Sequence, residues 1–250
     1  MNRERSAACT VETVLETGPV PRPDAAPPEI PDYLRDTYSW AYLDEKSFWF
    51  FEHSWVVNLI LWGNMRRLTR HVVDQVQLAP RGRVLQVACV YGEFSARLAE
   101  AVGQSGSTLD IVDVAPIQLD NARRKLAKHR NVRVRHHDSS CLRYADASFD
   151  QTVVFFLLHE QPAEVRCRTV AEALRVTRPG GKVVFVDYHR PQAWNPVGWL
   201  MRPVLHWLEP FALDLWKAPL SNWFPGSQTP APSRFHTFFG GLYQSLTVTR

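Results

Sequence analysis

From Gly82 onward the chain alternates short β-branched runs with amphipathic helical stretches, and this alternation constrains the fold more than any other feature. A period of two that gives way repeatedly to a period near 3.6 specifies βαβ units, whose crossover helices force the strands to lie parallel in one sheet. The pattern predicts strands at Arg83–Cys89, Thr108–Val112, Val132–His136, Gln151–Leu158 and Lys182–Asp187, with helices at Glu93–Val102, Pro116–His129 and Ala163–Val176. The tail FHTFFGGLYQSLTVTR reads as a hairpin pivoting on Gly240 and Gly241, its final strand running against the others and closing the sheet. A chain of 250 residues, 45% of them apolar, can bury one such doubly wound α/β core without disulfides or a second domain.

Three segments flank or interrupt that core. The stretch TGPVPRPDAAPPEIPD, dense in proline and poor in large apolar groups, marks residues 1–32 as a disordered or extended arm. Residues 33–80 read as helices carrying Tyr33, Tyr38, Trp40, Tyr42, Phe48, Trp49, Phe50, Phe51, Trp55 and Trp62, suited either to a core helix pair or to a lid over a greasy ligand. The third segment is an insert at 191–232 within the catalytic domain of residues 81–250. It brings Trp194, Trp199, Trp207, Trp216 and Trp223 together with leucine, proline and scattered cations, a mixture that suits a water–lipid interface or a buried substrate cap.

Charge and cysteine usage narrow the class. The net charge is only +4, yet Arg123, Arg124, Lys125, Lys128, Arg130, Arg133 and Arg135 follow one another without an acid. Such a run is a solvated face, a contact for an anionic lipid surface, or a nucleic-acid contact; no nucleic-acid-binding motif accompanies it, so no nucleic-acid partner is expected. Cys9, Cys89, Cys141 and Cys167 show neither metal nor redox spacing and read as small core hydrophobes in a reducing compartment. The first residues lack a secretory apolar stretch and no segment is long enough to span a bilayer. The expected location is therefore cytoplasmic, peripheral to the inner membrane.

Four spaced motifs resemble a class I S-adenosylmethionine-dependent methyltransferase over about residues 82 to 250. In RVLQVACVYGEFS the position usually held by an acid is Gln86, and the three positions of the following GxGxG turn are Ala88, Val90 and Gly92. Asp113 ends a strand about 20 residues further on, where a carboxylate accepts both ribose hydroxyls; as a bland alternative it caps the helix that follows. In HHDSSCLRYADASFD, Asp138 would face the adenine amino group with Ser139 beside it, and RPGG leads into the fifth strand. The resemblance implies a Rossmann-like fold with an antiparallel last strand, and a cofactor site of Gln86, Ala88, Gly92, Asp113, Asp138 and Ser139.

PDYLRDTYSWAY, VVNLILWGNMRRL, LQVACVYG and FFGGLYQSLTVTR are similar to the rhodoquinone-biosynthesis methyltransferase-like family. That resemblance implies conversion of ubiquinone to rhodoquinone, a ring methoxy group giving way to an amino group, with S-adenosylmethionine as amino donor and manganese as a second cofactor. Gln86 fits this chemistry, since an acid there would favour the protonated, non-nucleophilic amine and an amide does not. Glutamate is nearly isosteric and is expected to be accommodated at the same position. Tyr91, His159 and Glu160 are the candidate catalytic residues, emerging with Asp187, Tyr188 and His189 at the carboxyl ends of strands; His159 and Glu160 are also candidate ligands of a divalent metal. Tyr38 and Tyr42 are placed to hold the quinone from above. A conventional methyltransferase on a quinone or lipid precursor, and an inactive cofactor-binding module, are the competing readings.

Overall fold

The computed structural model describes residues 27–42, 52–76, 81–225 and 232–250. The expected proline-rich arm up to residue 26, Cys9 and the aromatics Phe48 to Phe51 lie outside the described residues, as does the side chain of Tyr42. Residues 27–31 lead irregularly into α1 (Asp32–Tyr42), which is followed by α2 (Ser54–Ile60) and α3 (Met65–Gln75). The core alternates β1 (Arg83–Val87), α4 (Phe94–Gln104), β2 (Thr108–Asp113), α5 (Pro116–Lys125), β3 (Val132–His136), β4 (Phe149–Phe155), α6 (Ala163–Val176) and β5 (Thr177–Tyr188). The insert supplies α7 (Pro196–Leu208) and the short α8 (Asp214–Lys217), and the chain ends in β6 (Pro232–Phe238) and β7 (Tyr243–Thr249).

These strands form one seven-stranded sheet in the order β3-β2-β1-β4-β5-β7-β6. The first five run parallel, and β7 lies antiparallel between β5 and β6. Central strands are apolar on both faces because helices cover both: Val84, Leu85 and Val87 of β1 are all buried. The edge strand β3, by contrast, alternates intermediate with exposed residues. Chain order reverses between β1 and β4, which opens a crevice at the carboxyl ends of the strands, where a doubly wound sheet takes its ligands.

Several expected boundaries are corrected by the structure: β1 ends at Val87 rather than Cys89, where Ala88 turns left-handed at φ 72°, and α5 ends at Lys125 rather than His129. β4 starts at Phe149 and stops at Phe155, short of Leu158, because Phe156 turns into the left-handed region at φ 51°. β5 begins at Thr177, before the RPGG turn, and Arg178–Gly181 bulge out of register between the Phe149–Thr177 and Gln151–Lys182 pairs. A Cβ on Gly181 would come within 2.7 Å of the Asp150 carbonyl oxygen, so only glycine fits that bulge. Among the described cysteines, Cys167 is buried in the core as expected, Cys89 packs against the core where it lines the crevice, and Cys141 is exposed, against expectation. Among the described residues no helix is long and apolar enough to cross a membrane.

Candidate functional site

Two adjoining cavities occupy the crevice. The first is walled by the loop after β1 (Ala88, Cys89), the end of β2 (Val112 to Ala115), His137 and Ser139 beyond β3, and Leu157 beyond β4, with Tyr33 and Leu34 of α1 above. The second lies between the sheet and the helices before it. Val57, Ile60, Leu61 and Met65 face Val90, Tyr91, Phe155, His159, Tyr188 and Glu209 across an open cleft of about 770 Å³. Cys89, Phe156 and Glu160 line both, so the cavities share a wall.

That wall is built from unusual backbone. Ala88 sits at φ 72° and Phe156 at φ 51°, a region that costs a residue with a Cβ about 1–2 kcal/mol. Ala88 therefore holds a conformation that favours glycine, and β1 ends just before it, where the loop lines the first cavity. Gly92, at φ 76°, lies behind the wall, where Ser54 at the start of α2 packs 3.5 Å from the place a Cβ would occupy. Glu52 fastens the same junction: it pairs with Lys125 at 2.6 Å and accepts from Asn121 at 2.8 Å, both on α5.

Gln86 is fully buried and does not reach either cavity. Its Nε2 donates to the Ala88 carbonyl at 2.9 Å and to Ser95 Oγ at 2.8 Å, while its Oε1 is buried without a hydrogen-bond partner among the described residues. The expectation that glutamate would be accommodated is corrected by this geometry: a carboxylate has no proton to give the Ala88 carbonyl and would repel it.

Asp113 stands at the rim of the first cavity. Oδ2 accepts from the Cys89 amide at 2.7 Å and Oδ1 from the Ala115 amide at 2.8 Å, so the carboxylate ties the β1 loop to β2 while lining the cavity. Burial raises its pKa, and the two amides oppose the shift. Ser139 lines the cavity and accepts from Gln161 Nε2 at 2.9 Å. Asp138 instead turns into its own loop, accepting from the amide and hydroxyl of Ser140 at 2.7 and 2.9 Å. His137, unforeseen, lines the cavity beyond β3; burial and the nearby Arg143 and Arg135 bring its pKa down to about 4, leaving it a neutral ring at physiological pH.

The second cavity holds an acid–base cluster. His159 Nδ1 lies 2.9 Å from Asp187 Oδ1, and its Nε2 is 3.8 Å from Glu160. Burial alone would depress this imidazole, but the Asp187 carboxylate outweighs it and lifts the pKa to about 9. Asp187 is itself fixed by the amides of Leu158, His159 and Tyr188. The buried Arg166 clamps the turn that carries the histidine, donating to the carbonyls of Leu158 and Gln161 at 2.8 Å and, from the insert, of Phe211 at 2.9 Å. Tyr91 and Tyr188 are pushed up by burial and by nearby carboxylates, so both remain hydrogen-bond donors.

Glu209, directly after α7, was not anticipated. Burial raises its pKa, opposed by His159 and by the Tyr38 hydroxyl that reaches it from α1. It is the first carboxylate after a long greasy stretch of the insert, the one signal that could have singled it out. His189 lies away from both cavities, its Nδ1 against the Gly241 carbonyl at 2.8 Å.

The first cavity fits S-adenosylmethionine: a carboxylate at the end of β2, a tight turn after β1 and an uncharged adenine slot are all present. Manganese does not fit. Among the described residues no three His, Cys, Asp or Glu groups gather to hold a metal, and His159 and Glu160 offer only two donors because the other ring nitrogen faces Asp187.

The sheet order with its antiparallel seventh strand is the class I methyltransferase fold, and residues 84–181 match the family described as a methyltransferase domain. The geranyl diphosphate C-methyltransferase of Streptomyces coelicolor A3(2) shares the fold, with a TM-score of 0.60 and 11% identity over 89% of this chain and 100% of that one. Among curated relatives, the demethylmenaquinone methyltransferase of Shouchella clausii is 30% identical over 49% of this chain and 52% of its own length. The protein of the same description from Renibacterium salmoninarum is 34% identical over 52% and 51%. The chain thus spans about half the length of the curated relatives it matches.

Proposed function

We propose that the chain is an S-adenosylmethionine-dependent transferase acting on the ring of a lipophilic quinone or its hydroquinone, with methyl transfer as the reaction. One observation carries this reading: the two cavities share Cys89, Phe156 and Glu160, so a cofactor in the first presents its reactive end to a ring in the second. When bound, S-adenosylmethionine supplies an electrophilic methyl group. The chain's residues do the rest. Asp113 binds the ribose, and Val114, Ala115, His137 and Ser139 surround the base. Tyr91, Tyr188 and the charged His159 donate to ring oxygens and stabilise a hydroquinone anion, whose ring carbon attacks the methyl while sulfur keeps the electron pair. Glu160, at the junction, is placed to receive the proton that leaves that carbon. The names of the curated relatives support a quinone-type ring. An isoprenoid tail keeps such a substrate in a bilayer, so the enzyme would work at the cytoplasmic face of a membrane.

A second reading, conversion of ubiquinone to rhodoquinone with the cofactor's α-amine replacing a ring methoxy group, is favoured by Gln86. The position carries an amide rather than a carboxylate, so it adds no negative charge that would hold that amine protonated.

Parallel incubations with demethylmenaquinol and with ubiquinone, using cofactor labelled at the S-methyl carbon and at the α-nitrogen, separate the two. Labelled carbon in the product supports methyl transfer. Labelled nitrogen establishes the second reading in its place. An unlabelled pool from both substrates contradicts both and leaves a binding module.

A further inference from the structure

α7 is apolar on both sides. Gly198, Met201 and Leu205 are buried against the domain, yet the opposite face carries Trp199, Leu200, Val204, Trp207 and Leu208, with the two tryptophans 77% and 81% exposed. Spacings of four residues align these side chains into stripes, and a helix hydrophobic all round belongs against something apolar. A second greasy face lies beside it: Trp55 and Leu59 of α2 are 62% and 69% exposed. The two are joined where Trp62, just past α2, donates from Nε1 to Met201 Sδ at 3.3 Å.

α2 borders the second cavity, and α7 ends at it. Val57, Ile60 and Leu61 line it from one side, and Glu209, which follows α7, from the other. Cations flank the greasy surface. Arg202 is exposed on α7, and Arg66, exposed on α3, shares a surface depression with Trp55. Neither forms an ion pair with a described residue. The sequence-level basic run is less available: Arg123 pairs with Asp120, Lys125 with Glu52 and Arg135 with Asp110.

We propose that the outer faces of α7 and α2, rimmed by Arg66 and Arg202, form a docking surface for an anionic lipid bilayer around the mouth of the second cavity. This rests on the reading that the substrate is a membrane-borne quinone, and it assigns the route by which the tail stays in lipid while the ring enters. The 13 residues of α7 reach about 20 Å, short of the roughly 30 Å hydrocarbon core, so the helix lies in the interface with its indoles at headgroup depth. A second copy is the poorer occupant, since a two-fold contact through this patch would bring its own Arg66 and Arg202 cations together.

The test is sedimentation of the full chain with vesicles of phosphatidylcholine alone or mixed with phosphatidylglycerol, across a salt series. The protein should bind the mixed vesicles best, lose part of that binding with salt and retain the rest. Trp199→Ala with Trp207→Ala should lower partitioning about tenfold or more at every salt concentration, because it removes interfacial indoles. Arg66→Glu with Arg202→Glu should remove the salt-sensitive part; circular dichroism confirms that both variants fold. Both should keep turnover on a water-dispersed short-tail quinol and lose it on a long-tail quinol embedded in vesicles. Protein that stays in the supernatant with anionic vesicles at low salt overturns the proposal. So does a tryptophan variant that sediments like the parent, or a dimer that the same substitutions split without any vesicle binding. If vesicles bind as expected and neither quinol reacts, the docking surface stands and the quinone reading falls.

Discussion

The two cavities share a wall but are assembled differently. The first cavity, the proposed cofactor side, is made almost entirely by residues at the carboxyl ends of successive parallel strands, with only Tyr33 and Leu34 arriving from elsewhere. The substrate side is assembled from distant parts of the chain: α2 and α3 before the domain, the turn after β4, the end of β5, and Glu209 of the insert. Its geometry is held by long-range ties such as Arg166 to Phe211. A βαβ scaffold thus fixes one half of the site through its own topology, whereas the other half depends on how the flanking segments pack. The first half suits a common cofactor, and the second can be rebuilt for a particular acceptor.

Substitutions on the two sides should separate cleanly. The largest effect is expected on the substrate side. His159→Gln should reduce kcat about 10²- to 10⁴-fold, the usual span for losing a positioned acid–base group, while cofactor affinity stays near that of the parent in calorimetry. The same group gives a stability signature. Its folded pKa of about 9 exceeds the ordinary 6.5, so its contribution is complete below pH 6.5 and disappears as pH rises through about 9. Melting temperature should fall across that window in the parent and much less in His159→Gln. On the cofactor side, Asp113→Ala should weaken S-adenosylmethionine binding by about 1–3 kcal/mol in a folded protein, with the acid–base pH dependence of turnover retained. Unchanged affinity would remove Asp113 from the site.

Smaller effects probe the wall itself. Gln86→Glu should destabilise the fold by about 1–3 kcal/mol at neutral pH by setting a buried carboxylate against the Ala88 carbonyl. The introduced carboxyl's pKa would be raised, so stability should recover as the pH falls and the group gains a proton to donate; urea midpoints at two pH values report this. Ala88→Gly should stabilise by about 1 kcal/mol, because glycine adopts φ 72° without a Cβ penalty. A lower urea midpoint in Ala88→Gly would mean that the methyl's packing outweighs the strain.

The same asymmetry governs what the sequence could reveal. Strand ends on the cofactor side follow from local periodicity, so Ala88, Asp113 and Ser139 come to one cavity as their spacing implies, and the closing hairpin and antiparallel β7 follow from its turn. Spacing could not say which way a side chain turns. Gln86 and Asp138 occupy the expected positions, yet their hydrogen bonds point them into the protein. On the substrate side Tyr91, His159 and Glu160 meet in one cavity, but their partner Glu209 lies 49 residues from Glu160, and nothing local ties the two together. The left-handed turn at Phe156 was equally hidden, because aromatic β-formers continue through that position.

On the proposed function, a cofactor and a quinone ring meet across the wall of Cys89, Phe156 and Glu160. A crystal structure with S-adenosylhomocysteine and a short-tail quinone tests it most directly. The ribose should lie on Asp113, the adenine beside His137 and Ser139, the sulfur at Cys89, and the quinone ring between Tyr91, His159 and Tyr188. A nucleoside bound elsewhere, or a quinone seated outside the second cavity, would contradict it.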